Sequence, residues 1–277
     1  MLTSDQIEQY ELYGFLIIDD AVALNLVEPL RQASNRLVTK TREGTWPHKR
    51  DAGDGDIWGV GHLLHPDVCE TVFAEYIASS MVIDVVADLL SVSGAPEDTP
   101  LQLELVNMLV NPATTDHQIG WHRDLVSVEQ SSQDELTALL GARHGIQWNA
   151  ALYEDACLQI VPGSHRRAST QTERATVQHR PMEALQDQLV VRLDPGQGVY
   201  YNANLLHRGV YPRATVRRTL HACMGTMEGS ESREDLYRWL SWMTDASFGE
   251  TLPERLRPLH VNFMQMARKK IAAEDSD

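Results

Sequence analysis

His122 and Asp124 stand two residues apart in Gly120-Trp121-His122-Arg123-Asp124-Leu125, and a third candidate, His207, closes the apolar run Asn204-Leu205-Leu206-His207. Two neutral imidazoles and one carboxylate on one face of an ion leave the opposite face open, the arrangement suited to an iron that handles oxygen. On an extended strand, positions i and i+2 point the same way, so His122 and Asp124 can reach one ion. The third ligand must then arrive from a distant strand. Taken alone the pair is a weak signal. Eleven histidines make a chance His-x-Asp expected, and His65-Pro66-Asp67 is a second copy, at a helix start where an Asp has a capping role. A surface pair is an equally good reading of His122 and Asp124 at this level.

A guanidinium adds to the constellation. Along Val216-Arg217-Arg218-Thr219-Leu220-His221-Ala222-Cys223-Met224 the even positions are apolar except for Arg218, and the odd ones are mostly polar. Strand alternation therefore predicts a buried even face carrying Arg218 and a solvent face carrying Arg217. A buried charge needs an anion beside it. That anion is either an internal Asp or Glu, or a ligand carboxylate gripped by two hydrogen bonds.

These side chains need a rigid frame. Residues 3–13 read as a helix ending at Gly14, followed by a short strand over 15–19. Helical spacing continues over 22–41 and 67–90. From Leu101 the period changes: Leu101, Leu103 and Leu105 alternate with Gln102 and Glu104, and further strand-like runs cover 145–152, 157–161, 189–193, 198–201 and 218–224. Turns at Asn111-Pro112, Pro162-Gly163-Ser164 and Asp194-Pro195-Gly196 punctuate them. Short strands with such turns predict an all-β sandwich or barrel. Helix returns over 232–244 and 253–270 before a polar tail. The 277 residues are read as one domain: a mainly helical part over 1–95, a β core over 100–225 and C-terminal helices over 226–277.

The formal net charge of −15 disfavours phosphate backbones and anionic membranes as partners and leaves a small-molecule substrate as the expectation. No apolar run approaches the roughly 18 residues of a membrane span. The N-terminal segment lacks the basic and apolar regions of a secretory signal. Three scattered cysteines, Cys69, Cys157 and Cys223, give no disulfide framework, and a cytoplasmic location is expected.

Taken together the residues resemble the phytanoyl-CoA dioxygenase-like family of iron/2-oxoglutarate oxygenases. The resemblance runs over most of the chain: Gln6-Ile7 with Tyr10 and Tyr13-Gly14-Phe15, then Gly120-Trp121-His122-Arg123-Asp124 and Gln147-Trp148. Its most specific string is Cys157-Leu158-Gln159-Ile160-Val161-Pro162-Gly163-Ser164-His165, followed by the turn over 193–198 and His207. Arg218 follows His207 by eleven residues, the spacing of the arginine that holds 2-oxoglutarate in this family. The resemblance implies a mainly β fold with flanking helices around a double-stranded β-helix, or jelly roll. It further implies Fe(II) on His122, Asp124 and His207, 2-oxoglutarate on Arg218, and O2 as second cosubstrate. The expected reaction is oxidation, with hydroxylation foremost, of a C–H bond of a small organic metabolite, releasing succinate and CO2. Asp124 as a ligand argues against halogenation. By resemblance Trp148 lies close to the cosubstrate, with an aromatic filling the barrel as the alternative. Asn107 continues the Leu101, Leu103 and Leu105 face, and is read either as a group touching cosubstrate or substrate or as a backbone-bonded core residue. His165, Pro162 and Gly163 are read as shaping their turn.

One position departs from the pattern. Many relatives carry Ser or Thr two residues after the second histidine, where its hydroxyl helps bind 2-oxoglutarate, and here that residue is Gly209. Residues 46–65, 126–144 and 166–188 are candidate lids, with a short helix expected around 134–140. Trp239 and Trp242 are expected to pack on the barrel or to form a homodimer contact. Two readings compete with the enzyme: a non-catalytic jelly-roll binding protein that has kept the ligands, and a zinc hydrolase, which leaves Arg218 without a task.

Overall fold

The computed structural model describes residues 1–53, 55–92, 99–141, 145–227 and 239–274. The chain opens with helix α1 (Ser4–Tyr13), whose start is a capping box: the Thr3 hydroxyl accepts from the Gln6 amide and the Gln6 side chain accepts from the Thr3 amide. It ends at Gly14 in the left-handed region (φ 80°), and a β-carbon there would run into the His165 ring. Strand β1 (Phe15–Ile18) follows. Helix α2 (Leu24–Arg42) buries Val27, Leu30, Ala33, Ser34, Leu37, Val38 and Thr41, one face at helical period.

The stretch expected as one helix over 67–90 is broken in two, α3 (Thr71–Ile77) and α4 (Ser80–Leu89). Ala78 closes the first, and Ser79, with extended backbone, opens the second. The break aims Phe73, Tyr76 and Ile77 from one segment and Val82, Val85 and Val86 from the other into one core. Between α2 and α3 lie the short strands β2 (Lys49–Asp51) and β3 (Ile57–Val60).

The remaining strands are β4 (Leu101–Val110), β5 (His117–Gln118), β6 (Ile146–Ala151), β7 (Leu158–Ile160), β8 (Leu189–Val190), β9 (Gly198–Asn202), β10 (His207–Tyr211) and β11 (Arg218–Thr226). They form a seven-stranded sheet in the order β1-β9-β6-β11-β4-β3-β2 and a four-stranded sheet in the order β5-β10-β7-β8, all pairs antiparallel. This is the expected jelly roll with flanking helices. Helix α5 (Ser132–Gly141) meets the short helix expected near 134–140, and α6 (Gln171–His179) lies in the other long connection. The helix expected over 232–244 falls mostly outside the described residues; Ser241–Thr244 form a single 3-10 turn. Two helices follow, α7 (Ala246–Thr251) and α8 (Arg257–Glu274). On α8, the Asn262 amide donates to the carbonyls of Thr99 and Leu101 at 2.8 and 2.7 Å, pinning the helix to β4.

The large sheet is covered on both faces. Its outer face carries Leu101, Leu103, Met108, Trp148, Leu220 and Met224 against the helices. Its inner face meets the small sheet around Phe15, Ala151, Leu158, Ile160, Val199 and Tyr201. The central strands β4, β6, β9 and β11 have no solvent face, and their polar side points into the space between the sheets. None of the described helices is long and apolar enough to cross a membrane.

Candidate metal centre

His122 and His207 face each other across an antiparallel bridge, each backbone amide donating to the other residue's carbonyl at 3.0 Å. Directly opposed residues in such a ladder hold their side chains side by side, and the two rings lie 4.3 Å apart. The loop after the bridge is fixed by the Asp124 amide, which donates to the Ala203 carbonyl at 3.1 Å. The Asp124 carboxylate thereby sits 3.6 Å from His122 Nε2 and 3.8 Å from His207 Nε2. One ligand atom from each residue lies within 4.8 Å of the others, a group able to hold a metal ion.

The protonation of the rings follows from their back sides. His122 Nδ1 lies 2.8 Å from the Gly120 carbonyl and His207 Nδ1 lies 2.7 Å from that of Leu205. A carbonyl only accepts, so each Nδ1 carries the proton and each Nε2 presents a lone pair toward Asp124. Burial, and then the neighbouring His122, pulls His207 down to about 4, so this ring is neutral at physiological pH. Two neutral imidazoles and a carboxylate are the donor set that suits iron(II). Gln147 donates its side-chain amide to Asp124 Oδ2, and the Tyr201 hydroxyl reaches Gln147 Oε1 at 3.4 Å. Behind the centre, His221 Nδ1 meets Asn149 Oδ1 at 2.9 Å.

The cavity above the triad, about 80 Å³, is lined by Arg217 and not by Arg218. Arg217 is 2% exposed: its Nε donates to Asp155 Oδ2 at 2.7 Å, and its guanidinium carbon lies 4.6 Å from the centre of the Tyr211 ring. Burial works against its charge, but Asp155, Cys157 and Tyr211 reverse that and raise its pKa above the ordinary value. Its Nη1 is buried with no hydrogen-bond partner, so the guanidinium is held from one side and unsatisfied on another. Asp155 is itself completed by the Thr219 hydroxyl and the Cys157 amide.

The even face of this strand is buried as the alternation predicts, but the odd face, expected in solvent, is buried as well and lines the cavity. Arg218, on the helix side, donates to Asn35 at 3.0 Å, Asn111 at 3.2 Å and its neighbour's carbonyl at 2.7 Å. Burial, then Arg42, draws its pKa down to about 10. Trp148 is displaced from the expected place for the same reason. It is fully buried on the helix side, donating to the Tyr76 hydroxyl at 3.0 Å and stacking on Tyr200. Its neighbours Gln147 and Asn149 line the cavity instead.

Asn107 does not continue the face of Leu101 and Leu103. Opposite Ala222 and Met224, β4 carries one extra residue, and this bulge flips the side on which later residues emerge. Asn107 Oδ1 accepts the His62 amide at 3.0 Å, the backbone-bonded alternative, and the residue lines a second cavity beside the first. The sequence reading also missed Gln147, Asn149, Tyr201, Tyr211, Asp155, Arg217 and His221. Their signal was present as polar residues alternating with buried apolar ones on central strands.

Arg123, between the two candidate ligands, must point away from them. Its side chain is fully buried and donates to Glu135 at 3.2 Å, to the carbonyls of Ser164 and Asn204 at 2.8 and 2.5 Å, and to Ser169. It ties the ligand loop to α5 and to the Pro162-Gly163 turn. His165 in that turn rests under Gly14, with Nε2 3.2 Å from the Glu11 carbonyl, a structural position as expected.

The phytanoyl-CoA dioxygenase (PhyH) family model matches residues 10–218, 209 of the 277. No curated protein matches the chain. Among solved structures, AviO1 from Streptomyces viridochromogenes Tue57 shares 19% identity over 81% of this chain and 96% of its own, with a TM-score of 0.58. EctD from S. alaskensis, solved with 2-oxoglutarate and 5-hydroxyectoine, gives 15% identity, 82% and 77% coverage and a TM-score of 0.62. The epimerase SnoN, in complex with Fe3+, alpha ketoglutarate and nogalamycin RO, gives 14%, 80%, 83% and 0.56. At these identities the neighbours speak for the fold, and the family match carries the assignment: the chain belongs to the phytanoyl-CoA dioxygenase family and is a 2-oxoglutarate-dependent non-haem iron oxygenase.

Proposed function

We propose that His122, Asp124 and His207 ligate iron(II), that Arg217 with Tyr211 receives the distal carboxylate of 2-oxoglutarate, and that the chain acts as a single catalytic unit. The proposed reaction hydroxylates a C–H bond of a small organic metabolite and releases succinate and CO2. One observation supports this most: three convergent donors share a cavity with a buried guanidinium whose Nη1 has no partner. Iron(II) with 2-oxoglutarate and O2 supplies a two-electron oxidation of an unactivated C–H bond.

The protein's own part is preorganisation. The Gly120 and Leu205 carbonyls hold both imidazoles in the tautomer that a metal needs. Gln147 engages Oδ2 of Asp124, which turns the other carboxylate oxygen toward the centre. Asp155 and Tyr211 fix the plane of Arg217, so a carboxylate meets a fork that does not have to reorganise. Leu109, Ile119 and Leu158 complete the wall and limit water.

The test is anaerobic loading with iron(II) and 2-oxoglutarate followed by oxygen, scored for succinate. His122→Ala and Arg217→Gln are expected to lose the signal. Undiminished succinate in either variant would refute the assignment.

A further inference from the structure

A second cavity of about 700 Å³ adjoins the metal cavity, and Arg50 lines both. Its volume falls in the range that takes a metabolite-sized ligand, about 300–1,000 Å³. Two features of its wall discriminate between ligands. The first is charge: the chain has 39 acidic and 24 basic residues, yet the described lining of this cavity contains no carboxylate and two bases, Lys49 and Arg50. Lys49 is neutralised by Asp51 at 3.2 Å. Arg50 is an exposed residue with no carboxylate partner among the described residues; its guanidinium carbon lies 5.5 Å from the centre of the Trp58 ring. Its stem crosses Gly59, where a β-carbon would lie 3.3 Å from Arg50 Cβ, so the glycine makes room for it.

The second feature is shape. Trp242 is half-buried and donates Nε1 to His62 Nδ1 at 3.0 Å, which leaves the His62 proton on Nε2. Burial, then His48, lowers His62 to about 4, so the imidazole contributes an uncharged hydrogen-bonding group. His48 packs edge-on against His62, with ring centres 4.5 Å apart. The wall thus offers aromatic faces and neutral polar edges, with one uncommitted positive charge on the residue that lines both cavities.

We infer that this second cavity is the substrate chamber and that Arg50 selects an organic anion, whose flat or cyclic apolar body lies against Trp242 and whose charged end is held beside Trp58. The inference rests on the proposed reading of the metal centre, since it places the substrate next to that site.

Three probes test it: 3-phenylpropionate, its neutral amide 3-phenylpropanamide, and 2-phenylethyl phosphate. Titration calorimetry under nitrogen reads binding to the full chain, with iron(II) and 2-oxoglutarate present and again without them, so no turnover is needed. Wild type is expected to bind both anions about fivefold tighter than the amide. Arg50→Gln should lose that preference while keeping the affinity for the amide, and Trp242→Leu should weaken all three probes alike. The order of carboxylate and phosphate identifies the anion. Equal binding of acid and amide to wild type, or a preference that survives Arg50→Gln, overturns the inference. A preference abolished by Arg217→Lys and not by Arg50→Gln puts the anion in the metal cavity and overturns it too. The succinate assay reads the triad and Arg217, whereas this titration reads Arg50, so each can fail alone.

Discussion

A β-carbon added to Gly209 would lie 2.7 Å from the hydroxyl oxygen of Tyr211. Tyr211 therefore fills the space where relatives carry a short hydroxyl side chain, and its ring packs on Arg217. In the proposed site, the hydroxyl missing at position 209 is supplied by Tyr211, two residues further along the same strand. Tyr211→Phe keeps the ring and removes one hydrogen bond to a charged ligand, a loss of about 1.5–3 kcal/mol. The KM for 2-oxoglutarate is expected to rise roughly tenfold or more, with kcat little changed. Gly209→Ser in the wild-type background should collide with the ring and impair cosubstrate binding more than Tyr211→Phe does. Measuring KM for 2-oxoglutarate in both variants checks the pair, and an unaltered KM in Tyr211→Phe counts against it.

The two neighbouring arginines should separate cleanly. Arg217→Gln leaves Asp155 buried without its cation, a cost of about 3–5 kcal/mol, and should abolish 2-oxoglutarate binding. Asp155→Asn retains the guanidinium and should weaken the cosubstrate with less damage to the fold. Arg218→Gln loses contacts with Asn35, Asn111 and the Arg217 carbonyl, none of them an ion pair, so its expected cost is about 1 kcal/mol per contact with KM unchanged. Urea denaturation and cosubstrate KM, measured on the same samples, distinguish the three.

The contrast between these arginines shows what could be read from the chain before folding. The convergence of the triad was legible, because His122 and Asp124 occupy one side of an extended segment and the remote His207 was accompanied by a family-specific string. Strand alternation and its apolar, buried side were legible too, but not that the polar side is buried as well. In a sandwich with helices outside, the apolar side of β11 goes to the helices, and the polar side lines the interior of the jelly roll. Assigning polar to solvent left Arg217 and Gln147 out of the cavity wall and put Arg218 and Trp148 in their place. Asn107 was misplaced for a separate reason, a one-residue irregularity that leaves no mark in the hydropathy pattern.

Gln147 is expected to tune metal affinity without touching the ion. Its amide engages Asp124 Oδ2, and Gln147→Leu removes that support from a carboxylate that must otherwise be held by backbone alone. Partners of this type are worth about 10–100-fold in metal affinity. Competition with an iron(II) chelator should show that weakening, while Gln147→Glu, with a second negative charge beside Asp124, should shift the pH dependence of metal uptake. Equal chelator resistance in Gln147→Leu and wild type would remove Gln147 from the account.

Acid should destabilise the fold before most carboxylates protonate. His62 and His165 are both lowered from 6.5 to about 4, burial being the first cause in each. The unfolded chain takes up these protons near 6.5 and the folded chain only near 4, so the unfolded state binds more protons throughout that window. Their contribution is fully present above 6.5 and declines as pH falls toward 4. The urea midpoint of the metal-free protein is expected to drop between pH 6.5 and pH 5, and His165→Gln should make that drop shallower. A midpoint that stays level across the window would show that these rings are not held neutral.

Beyond the extra residue in β4, the length of that strand is a stricter requirement than its composition. Leu101 and Leu103 serve the hydrocarbon under the helices, while Leu109, beyond the irregularity, looks onto the metal cavity. Removing one residue at the bulge would restore a regular zigzag with Met108 and Val110 still outward, whereas removing one beyond it, between Val106 and Met108, would turn both inward. Many side-chain replacements at these positions would be survivable, whereas a single-codon deletion beyond the bulge would exchange the greasy and the reactive compartments at one stroke.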